Sequence, residues 1–191
     1  MNLEPIKIET NRLILKGFSP QDMTIIFEKY SNVEIKKILG HRTEEEFQIE
    51  EFKQKNGYAA YNRSFVLFLL IEKITNNIIG RCGLHNWNLE HKRAEIGYNM
   101  ADDNSKRKGL MTEAVSAVID FGFIELKLHR IEAIVGNGNI PSLRIMAKYN
   151  FTKEGVMREH FFVGENYEDS FIFSKLQNEY FKEKDNSTTN F

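Results

Sequence analysis

Three short β-prone runs, Ser64–Glu72, Ile78–Leu84 and Arg93–Met100, follow one another through the middle of the chain, and the longest helical pattern comes directly after them. A Thr75-Asn76-Asn77 turn joins the first two runs, so they read as the start of a meander. In the helical stretch, Leu110–Leu126, residues Val115, Val118, Ile119 and Phe123 recur at three- and four-residue spacings, which lays one apolar stripe along a helix. A chain that follows a meander with such a helix is neither an all-helical bundle nor an all-β sandwich.

The flanks extend the pattern. Arg12-Leu13-Ile14-Leu15-Lys16 is a short strand. Ser19-Pro20-Gln21-Asp22 opens a helix, with Ser19 as N-cap and Pro20 in the first turn. Thr43 and Glu46 have capping-box spacing for a second helix that ends at Asn56-Gly57. Beyond the long helix come a strand at Arg130–Val135, a short helix with Ser142 as N-cap that stops near Asn150, and strands at Phe151–Met157 and Asp169–Lys175. The expected order is β-α-α-β-β-β-α-β-α-β-β: an α+β chain with a mixed, mostly antiparallel central sheet flanked by helices.

Composition bounds the function. With 26 Lys plus Arg against 27 Asp plus Glu in 191 residues, the net charge of -1 argues against a nucleic acid or an anionic membrane as main partner. The longest apolar stretch, Phe65–Ile71, is far short of the ~20 residues a membrane span needs. Met1–Pro5 carries no secretory pattern, and a reducing cytoplasm is the simplest location. Cys82 is the single cysteine, which excludes an internal disulfide and reads as a small buried residue. His41, His85, His91, His129 and His160 lack ligand spacing, so no metal is expected. Residues 1–181 are expected to form a single domain, and 182–191 a polar, frayed tail.

The most informative segment is Lys106-Arg107-Lys108-Gly109-Leu110-Met111-Thr112-Glu113-Ala114. Three cations and a glycine lie between a strand and the first turn of the long helix. One alternative is a solvated charge run. However, cations at a helix N-terminus oppose its dipole, and they are compensated if a phosphate binds the free N–H groups there. Gly109 lets the backbone approach such a group without a Cβ in the way.

Arg93-Ala94-Glu95-Ile96-Gly97-Tyr98, then Lys108–Ala114, then Asn139-Ile140-Pro141-Ser142 resemble the GNAT superfamily of acetyl-CoA-dependent N-acetyltransferases. Within it the chain is similar to the branch of ribosomal-protein alanine/serine N-terminal acetyltransferases and the related spermidine acetyltransferases. The likeness runs from Ile8-Glu9-Thr10-Asn11-Arg12-Leu13 to about Tyr180. It implies a GNAT-like fold and acetyl-CoA as co-substrate. Lys108, Gly109, Leu110, Met111 and Thr112 would hold the pyrophosphate, and Asn139 and the segment Asn99-Met100-Ala101 would flank the pantetheine arm. It also implies an amine acceptor, either a protein N-terminus or a small amine, and leaves room for a homodimer. Two departures stand out. Arg107 occupies the place of the family's first loop glycine, where it would either weaken CoA binding or replace a backbone contact with its charge. The stretch from Glu95 to Gly109 is also one residue longer than usual.

Acetyl transfer needs a neutral amine, a polarised carbonyl and a proton for the leaving thiolate. Glu95 matches the strand carboxylate that serves as base in histone-type members, and a partly apolar cleft would raise its pKa. Its structural alternative is an ion pair with Arg93 or Arg81, or a structural hydrogen bond. The tyrosine that many members use as acid, on the short helix after the fifth strand, is here Met146, and Tyr149 is on another face. The ribosomal-protein branch has a serine that matches Ser142, which the sequence also explains as a cap. Trp87, Phe161 and Phe162 are either acceptor-side or plain core residues. Glu44, Glu45, Glu46, Glu50 and Glu51 would suit a polyamine if they shared a face, and otherwise read as a solvated helix. A non-catalytic acyl-CoA-binding regulatory domain is the reading of another class, given Arg107 and the missing tyrosine.

Overall fold

The computed structural model describes residues 3, 5–57, 63–101 and 103–188. The meander is present as β3 (Arg63–Glu72), β4 (Ile78–Asn88) and β5 (Arg93–Met100). Before it come β1 (Ile6–Glu9), β2 (Leu13–Phe18), α1 (Pro20–Lys29), α2 (Asn32–Leu39) and α3 (Glu44–Asn56). A 3-10 turn, Asp103–Ser105, leads to α4 (Leu110–Ile124), and the chain continues through β6 (Arg130–Gly136), α5 (Ile140–Lys148), β7 (Thr152–Val163), β8 (Asn166–Leu176) and α6 (Gln177–Thr188). The strands form one sheet in the order β1-β2-β3-β4-β5-β6-β8-β7, antiparallel at every described pairing except β5–β6.

Strand alternation sorts the side chains onto two cores. Phe68 and Leu70 join Leu13, Leu15, Leu84 and Ile96 under Val115, Val118, Ile119 and Phe123 of α4. Leu69, between them in sequence, turns to the other face and packs with Phe18, Met23, Ile26, Ile35, Leu39 and Phe47. Helices therefore cover both faces, as a sheet with apolar residues on both sides requires.

The parallel ladder between β5 and β6 is short, pairing Arg93 with Arg130, Ala94 with Ile131 and Glu95 with Glu132. Beyond it β5 stays with β4 up to Met100, and β6 stays with β8 up to Gly136. Each strand is held on its outer edge, so the sheet splits between them. Charges stitch the closed end. Arg93 reaches Glu132 at 3.2 Å, Arg130 Nε donates to Glu132 at 2.7 Å, and Arg130 Nη1 donates to Glu154 of β7 at 2.7 Å.

The structure corrects several expectations. β1 and α2 lie outside the expected order, although Ser31 and Glu34 form a complete capping box at α2. Thr43 does accept from the Glu46 N–H, but the Glu46 carboxylate turns to the Arg42 N–H instead. The N-cap of α5 is Asn139, whose side chain accepts from the Ser142 N–H at 3.2 Å. Pro141 in the first turn needs no donor, which puts the cap before it. The expected tail is helical through Thr188, while 189–191 lie outside the described residues. Tertiary contacts hold α6: the buried Lys175 ammonium donates to Glu183 at 2.8 Å, and the Tyr180 hydroxyl donates to Asp120 at 2.6 Å while its ring stacks on Phe123.

Hydrogen bonds from Arg130 and Ser174 hold the Glu154 carboxyl at about 2. A carboxyl whose folded pKa lies below its unfolded value of about 4.3 stabilises fully above that value and loses the contribution as pH falls through the folded pKa. Glu154→Gln should therefore flatten the acid limb of stability between about pH 4.3 and 2, measured by urea unfolding across that range. An unchanged acid limb would contradict the assignment.

Candidate active site

Two clefts meet at the split in the sheet. The first, of about 760 Å³, is bounded by the end of β5, the loop into α4, and α5. Of the residues expected to bind the cofactor, Met100, Arg107, Gly109, Leu110, Met111, Thr112, Asn139 and Ser142 line it. Ala101 and Lys108 do not. The Ala101 carbonyl accepts from Arg42 and the Lys108 carbonyl accepts from Arg12, each at 2.8 Å. Among the described residues the wall has no carboxylate, and it gathers Lys106, Arg107, Arg144 and Lys148. The sequence reading missed Arg144 and Lys148, which face the loop because α5 runs alongside it.

The start of α4 leaves backbone donors open. Gly109, the N-cap of α4, has φ +74° and no side-chain capping bond, so the first-turn N–H groups are left for an external acceptor. Arg107 has φ +61°, also left-handed. This left-handed conformation explains why glycine is usual at both places. The loop is also anchored from the far edge of the sheet. Glu113 Oε1 accepts from Thr10 Oγ1 at 2.6 Å and from the Arg12 N–H at 2.7 Å, and Glu113 Oε2 accepts from Arg12 Nε at 2.7 Å. Burial would raise the Glu113 pKa, but these bonds and the Arg12 charge outweigh it and hold the carboxyl ionised. An anion in the first turn and the Lys106–Asp103 pair at 2.7 Å supply part of the compensation that the sequence reading had assigned wholly to a ligand.

The second cleft, of about 580 Å³, lies between β3, β4, β5 and α3. Tyr98 and Asn99 line both clefts, and His85, Asn86 and Gly97 line the second. Glu95 sits behind them, directly across from His85 in the ladder. Its partners are His85 Nε2 at 3.3 Å and Asn86 Nδ2 at 2.9 Å, rather than Arg93 or Arg81. Arg81 pairs with Glu50 at 3.3 Å instead. The net shift of Glu95 is also opposite to expectation. Burial raises its pKa, but the bonds from His85 and Asn86 and the charges of His85 and His160 bring it below the ordinary value. Gly97 makes room for the imidazole: a Cβ there would stand 2.7 Å from His85 Cε1. The sequence signal for His85 was this glycine two places after Glu95, but only the β4–β5 register brings the histidine over it.

The remaining expectations separate. Met146 is buried in the main core, and the Tyr149 hydroxyl donates to the Thr112 carbonyl at 2.7 Å. Trp87 packs against the main core, Phe161 and Phe162 are exposed on β7, and none of the three lines either cleft. Cys82 is buried, and burial pushes its thiol pKa up. Of the acidic helix, Glu50 faces the second cleft, while Glu44 pairs with Lys36 and Glu51 with Lys55.

Comparison with known proteins defines the class. The family profile described as an acetyltransferase (GNAT) domain matches residues 12–152, and the chain belongs to that family. It is 33% identical over 172 residues to an uncharacterized N-acetyltransferase of Bacillus licheniformis, covering 90% of this chain and 96% of the relative. It is 32% identical over 108 residues to YdaF of Bacillus subtilis, whose name assigns it provisionally as a ribosomal N-acetyltransferase, covering 56% of this chain and 58% of the relative. Among solved structures, the spermidine/spermine N-acetyltransferase SpeG of Vibrio cholerae superposes with a TM-score of 0.66 at 24% identity, covering 90% of this chain and 99% of that one. The chain is an N-acetyltransferase of the GNAT family, which uses acetyl-CoA as co-substrate.

A non-glycine residue in the left-handed region costs about 1 kcal/mol or more. Arg107→Gly should therefore raise stability by about 1 kcal/mol in urea unfolding, while Arg107→Ala should not. A fall in stability for the glycine variant would contradict the strained conformation.

Proposed function

We propose that the protein transfers the acetyl group of acetyl-CoA to the α-amine of a peptide or a comparable small primary amine, by direct attack with general-base assistance. The observation that carries this reading is the split between β5 and β6, which joins a cation-lined cleft at a helix N-terminus to a second cleft through a shared wall of Tyr98 and Asn99. The uncapped start of α4 fits a pyrophosphate, and Gly109 leaves the room it needs. The β5 backbone beyond Glu95 has no strand partner on the β6 side, which suits an amide-bearing arm laid along it.

On the acceptor side, His85 and Glu95 act together. The carboxylate fixes Nε2 as the protonated nitrogen, leaving Nδ1 to take the proton of the incoming amine. Glu95 is thus a positioning residue for His85. An α-amine fits the second cleft better than a polyamine, because Lys53 and Arg81 stand there against Glu50 and the other α3 carboxylates lie elsewhere. The spermidine acetyltransferases among the relatives support the polyamine alternative.

Calorimetry with acetyl-CoA and thiol release with a panel of peptides, monoamines and spermidine test the reading. Acetyl-CoA should bind, peptides should turn over faster than spermidine, and Glu95→Gln should lower kcat by about 100-fold, within the usual range for lost acid–base assistance. Gly109→Glu should abolish binding, since a side chain and a negative charge would enter the cradle. Binding without turnover on any amine, with Glu95→Gln unchanged, would instead mark a regulatory domain.

A further inference from the structure

Resting on the proposed binding of acetyl-CoA at the start of α4, we propose that Arg12 is a positioning residue for the pyrophosphate. It acts from behind the loop, by turning the Gly109 N–H toward the cation-lined cleft. Arg12 stands at the turn before β2, where its own carbonyl accepts from the Lys73 N–H at 2.9 Å. Its guanidinium makes two bonds of different kinds. Nε donates to Glu113 Oε2 at 2.7 Å, and Nη1 donates to the Lys108 carbonyl at 2.8 Å. The Arg12 side chain is 42% exposed, and an ion pair so open to solvent contributes little by itself. A lysine would serve that pair as well. Only the planar guanidinium fork reaches the carboxylate and the loop carbonyl together.

The consequence lies in the peptide unit between Lys108 and Gly109. That unit is trans, so its C=O and its N–H point in opposite directions. Arg12 lines a separate groove of about 700 Å³, which shares Gly109 and Thr112 with the cation-lined cleft, and it does not line that cleft itself. Arg12 therefore draws the Lys108 carbonyl toward its own groove, and the Gly109 N–H is turned the other way. This N–H has no partner among the described residues. The peptide unit that follows is fixed as well, because the Gly109 carbonyl accepts from the Glu113 N–H at 3.1 Å.

An anion gains most from donors that are already aimed at it, since no reorientation is then needed on binding. Glu113 neutralises the Arg12 charge, so the contribution of Arg12 is the orientation of a backbone donor rather than a direct attraction for the phosphates.

Arg12→Lys tests this, since an ammonium keeps the charge beside Glu113 but cannot also hold the Lys108 carbonyl. Calorimetry should show acetyl-CoA affinity lower by at least about tenfold, while affinity for S-acetylpantetheine, which lacks the pyrophosphate, stays within about threefold. Arg12→Gln, which removes the ion pair too, is the second variant and should show the same split between the two ligands. By NMR, the Gly109 amide proton of the unmodified protein should move downfield with acetyl-CoA but not with S-acetylpantetheine, and the variants should lose that response. Retained acetyl-CoA affinity in Arg12→Lys would overturn the proposal, as would an equal loss for both ligands or a Gly109 amide that does not respond to acetyl-CoA. If the unmodified protein binds acetyl-CoA no more tightly than S-acetylpantetheine, the pyrophosphate site of the proposed function fails instead, which separates the two outcomes.

Discussion

The arrangement depends on the early end of one β-ladder. β5 and β6 share only the pairs from Arg93–Arg130 to Glu95–Glu132, and each is then kept by its other neighbour. Strands that run parallel and then part leave backbone polar groups unpaired, and such groups are costly unless solvent or a ligand meets them. The fold accepts that cost at one place. It closes the end of the split with the Arg93–Glu132–Arg130–Glu154 chain of ion pairs. The open end receives two edges: the start of α4 with its cationic loop, and the Glu95–His85 pair on the far side of β5.

Each edge is fixed by contacts distant in sequence. The loop before α4 is held by Thr10 and Arg12 through Glu113, so the far edge of the sheet positions the start of α4. The His85 ring has room because residue 97 has no Cβ, and its Nε2 stands 3.3 Å from Glu95. Tyr98 follows from alternation: one position along from Gly97, it turns to the other face of β5, toward α5 and Ser142.

Much of this was legible because it is local. The bounds of β5 and the start of α4 at Leu110 follow from alternation and from a glycine that ends one pattern before a 3.6-residue period begins. The cationic loop was readable because its charges conflict with the helix dipole. Less local features were harder to read. β1 is four residues at a sheet edge, too short for alternation to register, and α2 is eight residues whose signals were the Ser31–Glu34 box and the C-terminal Gly40. α6 is polar around most of its surface, so its order comes from Lys175, Tyr180 and Asp120 rather than from its own pattern. The pKa direction of Glu95 and the capping by Ser142 were misread, because both depend on a neighbour: His85 across the ladder, and Asn139 as the residue that caps the helix.

The central claim is that one bound acetyl-CoA spans the cationic loop and the split in the sheet. A crystal structure with acetyl-CoA tests it most directly. The account predicts pyrophosphate oxygens within hydrogen-bond distance of the N–H groups of Gly109 to Thr112, and the thioester in the split beside Tyr98. A pyrophosphate bound elsewhere, or a thioester outside the split, would contradict it.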